Sequence, residues 1–341
     1  MPRADLLRQL FRAYKNSDRE RFMDAARAIA DEERRKNHHI LASELLRILN
    51  NGVTAASPSL VPVVMAPPRD DERKTPLIEV RYPDRYLRDV VLESRALDLI
   101  RRVIHEFKEW DVLESNGLRP SHRMLFCGPP GCGKTMTAEA IAGEMGLPLL
   151  YVRFDSVVSS LLGETASNIR KVFDYASQDN WVVLFDEFDA IGRSRDDITE
   201  HGEIKRVVNS FLQMLDNFAG QSLIIAATNF EQVLDPALWR RFDEIVRFER
   251  PTPQQTKELM KRRLQASAHG SAMVGGHLDE LRGASFADVD RICLDVLKTL
   301  ALEGRRKLLP QDLVSALGRH ESRMQVMERA LQANIPRVDQ A

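Results

Sequence analysis

One segment constrains this chain more than any other. Met124 to Cys127 is a short apolar run, the residues GPPGCGKT occupy 128–135, and a helix-forming stretch, TMTAEAIAGEM, continues from Thr135. The middle piece fits the pattern G-x-x-x-x-G-K-S/T, and its flanks are the strand and helix that give such a loop its meaning. Glycines let backbone N–H groups turn inward and cradle phosphate oxygens, at a helix start whose dipole favours negative charge. From average residue frequencies the pattern arises by accident in roughly one chain of this length in a hundred.

The surrounding sequence has the matching rhythm. Leu149 to Phe154, Trp181 to Phe185, Leu223 to Ala227 and Ile245 to Phe248 are short apolar runs bounded by turn or charged residues. Helical spacing lies between them, as in Ile169, Val172, Phe173 and Ala176. Such alternation predicts an α/β fold, a parallel sheet covered by helices, with the glycine loop of a P-loop NTPase. No strand is expected after Pro251 and Pro253, so a small all-α lid domain follows. The first fifty residues predict three short helices, through Leu7, Leu10, Phe11 and Tyr14, then Phe22, Ala25, Ala26 and Ile29, then Leu41, Leu45, Ile48 and Leu49. The expected division is a helical N-terminal domain over 1–52 and a Pro-rich linker over 53–76, its final charge run solvated. The large α/β part then covers 77–250, the helical lid 251–320 and a closing helix or tail 321–341.

Composition removes several classes. The chain has 341 residues, and its 49 basic and 50 acidic side chains leave a net charge of −1. That balance argues against a chain that holds nucleic acid through its overall field. Three cysteines make no disulfide framework, which suggests a reducing compartment. No run of about 18 apolar residues is present, so no membrane span is expected, and the N-terminus lacks a secretory pattern. A cytoplasmic location is the expectation.

The chemistry-bearing residues follow from the loop. Gly128, Pro129, Pro130, Gly131, Cys132, Gly133 and Met136 frame the phosphates of a nucleotide such as ATP. Lys134 reaches the β- and γ-phosphates and the Thr135 hydroxyl ligates Mg²⁺. Trp181 to Phe185 leads into Asp186 and Glu187, a hydrophobic strand ending in two carboxylates. Asp186 is placed to hold the Mg²⁺ shell, and Glu187 to polarise a water attacking the γ-phosphate. Asn229 ends another apolar strand, at the level of the sheet where a polar side chain can orient that water.

Taken together, these residues resemble the AAA family of ATPases, over residues 85 to about 300. The resemblance rests on GPPGCGKT at 128–135, LFDEFDAIG at 184–192 and AATNFEQVLDPALWRRFDEIVRF at 226–248. It implies a sheet in which the Asn229 strand lies between the phosphate-loop and Asp186 strands. It also implies a helical lid after Pro251 and an active homo-oligomeric ring, usually a hexamer. Arg240 and Arg241 match the family's arginines that enter a neighbouring subunit's site, although the usual Pro-Gly between them is missing, so the resemblance does not say which is the finger. Leu161, Leu162 and Gly163 match the family's first pore loop, with leucine in the aromatic position. Val90 and Val91 on one side, and Ala287 between Ser285 and Asp288 on the other, with Phe286 where the family has glycine, resemble segments that contact adenine.

The function expected from these features is ATP hydrolysis by a ring that remodels or threads a protein substrate. A nucleotide-gated module recruiting a separately encoded effector, such as a protease, through residues 1–52 is one alternative. A DNA-acting protein is another, which the neutral charge and the pore-loop resemblance disfavour.

Overall fold

Six strands form one mixed sheet in the computed structural model, which describes residues 4–15, 19–36, 66–153, 157, 162–188, 200–229, 239–265 and 280–333. The chain begins with two helices, α1 (Ala4–Lys15) and α2 (Arg19–Arg35), packed on each other. Between them they bury three alanines, Ala13, Ala25 and Ala30, together with Ile29. Leu7 and Phe11 of the expected apolar stripe are exposed instead, Phe11 at 69%. The third helix expected over Leu41 to Leu49 lies outside the described residues.

The strands are β1 (Ile78–Arg81), β2 (Arg123–Cys127), β3 (Leu149–Arg153), β4 (Val182–Asp186), β5 (Leu223–Thr228) and β6 (Glu244–Arg247). Their order across the sheet is β1-β3-β4-β5-β2-β6. Every neighbouring pair is parallel except β1 with β3. The expected parallel sheet therefore gains an antiparallel edge strand. It escaped the sequence pattern because its buried apolar run is only Leu77-Ile78, set between Pro76 and Glu79. β5 is the opposite case: all six of its residues are buried, which is why it reads as an unbroken apolar run. It lies between β2 and β4, the arrangement the family resemblance implied.

Helices α3 (Ser94–Lys108) and α4 (Trp110–Ser115) precede β2, and α5 (Lys134–Met145) leads to β3. Helices α6 (Leu162–Ala176) and α7 (Glu200–Asp216) stand before and after β4. They bring Phe173 and Phe211 onto Phe185, with ring centroids 5.5 and 5.1 Å away. A buried phenylalanine in such a cluster typically contributes about 3–5 kcal/mol relative to alanine.

Chain contacts divide into two units. The first comprises residues up to Val90, Arg95–Cys127 and Thr135–Arg247, and holds the sheet. The second comprises Val91–Ser94, Gly128–Lys134 and everything from Phe248 onward. It contains α8 (Pro253–Leu264), α9 (Phe286–Leu302) and α10 (Pro310–Ala333). Its own core includes Met260, Leu264, Val289, Ile292, Val296 and Leu313. Thr252 starts α8 and Ser285 starts α9, each through a reciprocal capping box that satisfies otherwise unpaired N–H groups. Among the described residues no strand follows Pro251, and no helix is long and apolar enough to cross a membrane.

Residues 66–76, read from sequence as the end of the linker, are tied to α6. Buried Asp70 accepts the N–H groups of Glu72 and Arg73 at 3.0 and 2.7 Å, and the Asn168 amide at 2.7 Å. Lys171 pairs with Asp71 at 2.7 Å and donates to the Arg69 carbonyl at 3.3 Å. The Arg73 N–H and then the Asn168 amide hold the Asp70 carboxyl below its ordinary 3.8. A depressed carboxylate adds stability above its unfolded value and loses it as pH falls through the folded one. Asp70→Ala is therefore expected to melt several degrees below the parent at neutral pH. That gap should close in acid, which thermal unfolding followed by circular dichroism at the two pH values will show.

Candidate nucleotide site

The phosphate loop is shaped by three glycines with positive φ: 140° at Gly128, 74° at Gly131 and 95° at Gly133. At Gly128 a Cβ would stand 2.0 Å from the Phe248 carbonyl oxygen, so no other residue fits there. At Gly133 a Cβ would meet nothing within 4 Å, so the loop is open on that side. Half-buried Pro129 and exposed Pro130 complete the turn, and half-buried Met136 stands in the first turn of α5. Lys134 opens that helix, and its buried ammonium donates to the Gly128 and Pro129 carbonyls at 2.7 and 3.0 Å. Burial pushes the Cys132 thiol up, and the Lys134 charge offsets part of that shift. Cys132 is thus a packed thiol rather than a thiolate.

At the C-terminal end of β4, Asp186 collects donors from separate elements. Its Oδ2 accepts the Thr135 hydroxyl at 2.8 Å and the Tyr151 hydroxyl at 3.2 Å. Its Oδ1 accepts the Glu187 N–H at 2.9 Å. Glu187 has φ 53°, a left-handed conformation that costs a non-glycine residue about 1–3 kcal/mol. The cause is visible on both sides of it. Asp186 is held in the sheet and Phe188 is 1% exposed against Phe211, so the chain turns sharply and Glu187 faces outward. Asn229 follows the end of β5 and is half-buried.

Arg240 and Arg241 lie in the turn before β6, and the structure separates them. Arg241 pairs with Asp216 at the end of α7, 2.6 Å away. Arg240 is exposed and has no hydrogen bond or ion pair among the described residues. In the second unit the start of α9 lies against the phosphate loop. The Ala287 N–H donates to the Gly131 carbonyl at 3.0 Å, and a Cβ on Gly131 would meet Ser285 Oγ at 2.6 Å. Val90 and Val91 are both buried. Leu161 lies outside the described residues, and Leu162 and Gly163 form the first residues of α6 rather than a loop.

Sequence reasoning missed Tyr151. Burial first, and then the Asp186 charge, push its phenol up to about 12, so it remains a donor at neutral pH. Its apolar neighbours in β3 gave no sign of this role, because the sign lies in strand register.

These residues fit a nucleotide polyphosphate. The loop offers a backbone cradle at a helix start together with a buried ammonium. The Thr135 and Asp186 oxygens are the hard donors that suit Mg²⁺. This fold and this loop define a P-loop nucleoside triphosphatase.

The family described as "ATPase family associated with various cellular activities (AAA)" matches residues 124–250. A Sinorhizobium fredii protein named "Uncharacterized AAA family ATPase y4kL" is 38% identical over 326 residues, which is 93% of this chain and 95% of that one. A cell division cycle protein 48 homolog of Archaeoglobus fulgidus is 30% identical over 269 residues, 76% of this chain and 36% of its own length. A proteasome-activating nucleotidase of Saccharolobus islandicus is 33% identical over 236 residues, 66% of this chain and 60% of its own. The chain belongs to the AAA family of ATPases, and it binds and hydrolyses ATP.

Proposed function

We propose that this ATPase works as a homo-oligomeric ring, of six subunits by family resemblance, that uses hydrolysis to pull on or remodel a protein substrate. The observation that carries the ring is the unequal arginine pair. Arg241 is engaged within its own subunit, whereas Arg240 is left exposed and without a partner among the described residues. Such a side chain is available to a neighbouring subunit's nucleotide, so we assign Arg240 the finger role and Arg241 the role of fixing the turn.

Within one subunit, Lys134 and the loop N–H groups neutralise the polyphosphate. Thr135 and Asp186 hold Mg²⁺, which supplies charge neutralisation at the phosphate oxygens. Glu187 takes the proton of the attacking water, which Asn229 orients. Val90, Val91 and Ala287 border the base. The name of one relative, a proteasome-activating nucleotidase, supports work on protein substrates. The α1–α2 pair, with Phe11 exposed, is the part we assign to recruitment of that substrate or of an effector.

Leu161 is the test of the pulling action. Leu161→Asp is expected to abolish ATP-dependent unfolding of a fluorescent protein substrate while nucleotide affinity stays unchanged. Unfolding at the parental rate by that variant would remove polypeptide threading from the proposal.

A further inference from the structure

The contacts around Asp186 extend beyond the residues that touch nucleotide. In the parallel register of β3 with β4, Tyr151 stands opposite Leu184 and Arg153 opposite Asp186. Tyr151 and Asp186 are thus diagonal neighbours on one face of the sheet, a separation that a long aromatic side chain spans. One strand further out, Glu79 of β1 stands opposite Tyr151, and Arg81 lies diagonal to it on the same face. The Arg81 guanidinium lies 3.7 Å from the centre of the Tyr151 ring, in a cation–π contact. Arg81 is itself fixed by two bonds to Glu79, at 3.0 and 2.9 Å, and by Glu139 of α5 at 3.6 Å.

Those contacts close a circuit. Thr135 and Glu139 are four residues apart on α5, so they share a helix face. Thr135 reaches Asp186 directly, and Glu139 reaches it through Arg81 and Tyr151. We propose that Tyr151 is a positioning residue for the Mg²⁺-holding carboxylate of Asp186, and that Arg81, anchored by Glu79 and Glu139, fixes the tyrosine ring. The proposal rests on the reading of Asp186 as a Mg²⁺-shell residue. The phenol stabilises one orientation of Oδ2 and so aims the carboxylate before metal arrives. Outer partners of this kind are what fix the direction of a ligating carboxylate.

The test is Tyr151→Phe, which removes only the hydroxyl and keeps the ring under Arg81. Binding of a methylanthraniloyl-labelled, non-hydrolysable ATP analogue is followed by fluorescence, first in EDTA and then across a Mg²⁺ titration. For the parent protein Mg²⁺ should tighten binding, and Asp186→Asn should remove that tightening. For Tyr151→Phe the affinity in EDTA should match the parent. The Mg²⁺ concentration for half-maximal tightening should rise about tenfold, the lower end of what loss of an outer hydrogen-bond partner costs a metal site. Arg81→Gln, which loosens the ring but keeps the phenol, should give a smaller rise in the same direction. A parental Mg²⁺ titration for Tyr151→Phe would overturn the tyrosine proposal while leaving Asp186 in place. An equal loss in EDTA and in Mg²⁺ would reduce Tyr151 to a packing residue, and so would also overturn it. Absence of any Mg²⁺ effect in the parent would remove the Asp186 reading and this proposal together.

Discussion

Arg240→Ala is expected to lower steady-state ATP turnover of the assembled protein by about 10³-fold or more, the range found where a trans-acting arginine has been removed. Arg241→Ala is expected to keep most of that turnover. The difference follows from where the two charges are committed. An exposed ion pair such as Arg241–Asp216 contributes only a few tenths of a kcal/mol to about 1 kcal/mol, so its loss disturbs the turn mildly. Arg240 has no such engagement among the described residues, and its removal takes away the positive charge that a neighbouring subunit would bring to the transferring phosphoryl. Phosphate release at saturating ATP separates the two variants. Nucleotide affinity, measured alongside, should stay near the parental value for both. If Arg241→Ala is the inactive one, the assignment of the finger is reversed.

Glu187→Gln should give the second large effect, a fall in turnover of about 10²–10⁴-fold with ATP still bound, since a positioned general base contributes that much. Glutamine preserves size and the outward-facing turn but cannot accept the proton. The unusual φ at Glu187 should survive the substitution, because the sheet on one side and buried Phe188 on the other impose it. This variant also provides a check on the ring. Glu187→Gln mixed with Arg240→Ala should recover activity that neither shows alone. In such a mixed ring some sites pair an intact Glu187 with a neighbour's intact Arg240. No recovery on mixing, with assembly confirmed by native mass spectrometry, would place both residues in the same site and exclude the trans finger.

Much of this site could be read along the chain. The phosphate loop is encoded within one strand, one turn and one helix start, so its residues meet through local geometry. The same holds for Asp186 and Glu187 at the end of an apolar strand, and for the capping box at Ser285. The central position of the Asn229 strand came from family resemblance, and the sheet order agrees with it.

Contacts between residues distant in sequence were invisible for a common reason. Thr135 and Asp186 lie 51 positions apart, Tyr151 and Asp186 35, and Asp70 and Asn168 98. Each meeting depends on strand order and register, or on how a helix seats against the sheet. Edge strand β1 went unread because an edge strand needs little apolar sequence, yet it supplies the Arg81 that stacks on Tyr151. The end of the linker looked solvated because its charges are mostly exposed, and only Asp70 turns inward.

By itself, then, the sequence determined the chemistry: a glycine loop that accepts phosphate, a pair of carboxylates at a strand end, and two adjacent arginines of equal standing. Tertiary structure decided the commitments of those groups. It bound one arginine to Asp216 and left the other exposed, and it brought a tyrosine hydroxyl to the Asp186 carboxylate. The physical reason is that residue type and short spacing set what a group can do, whereas the register between strands and helices sets which partner it meets.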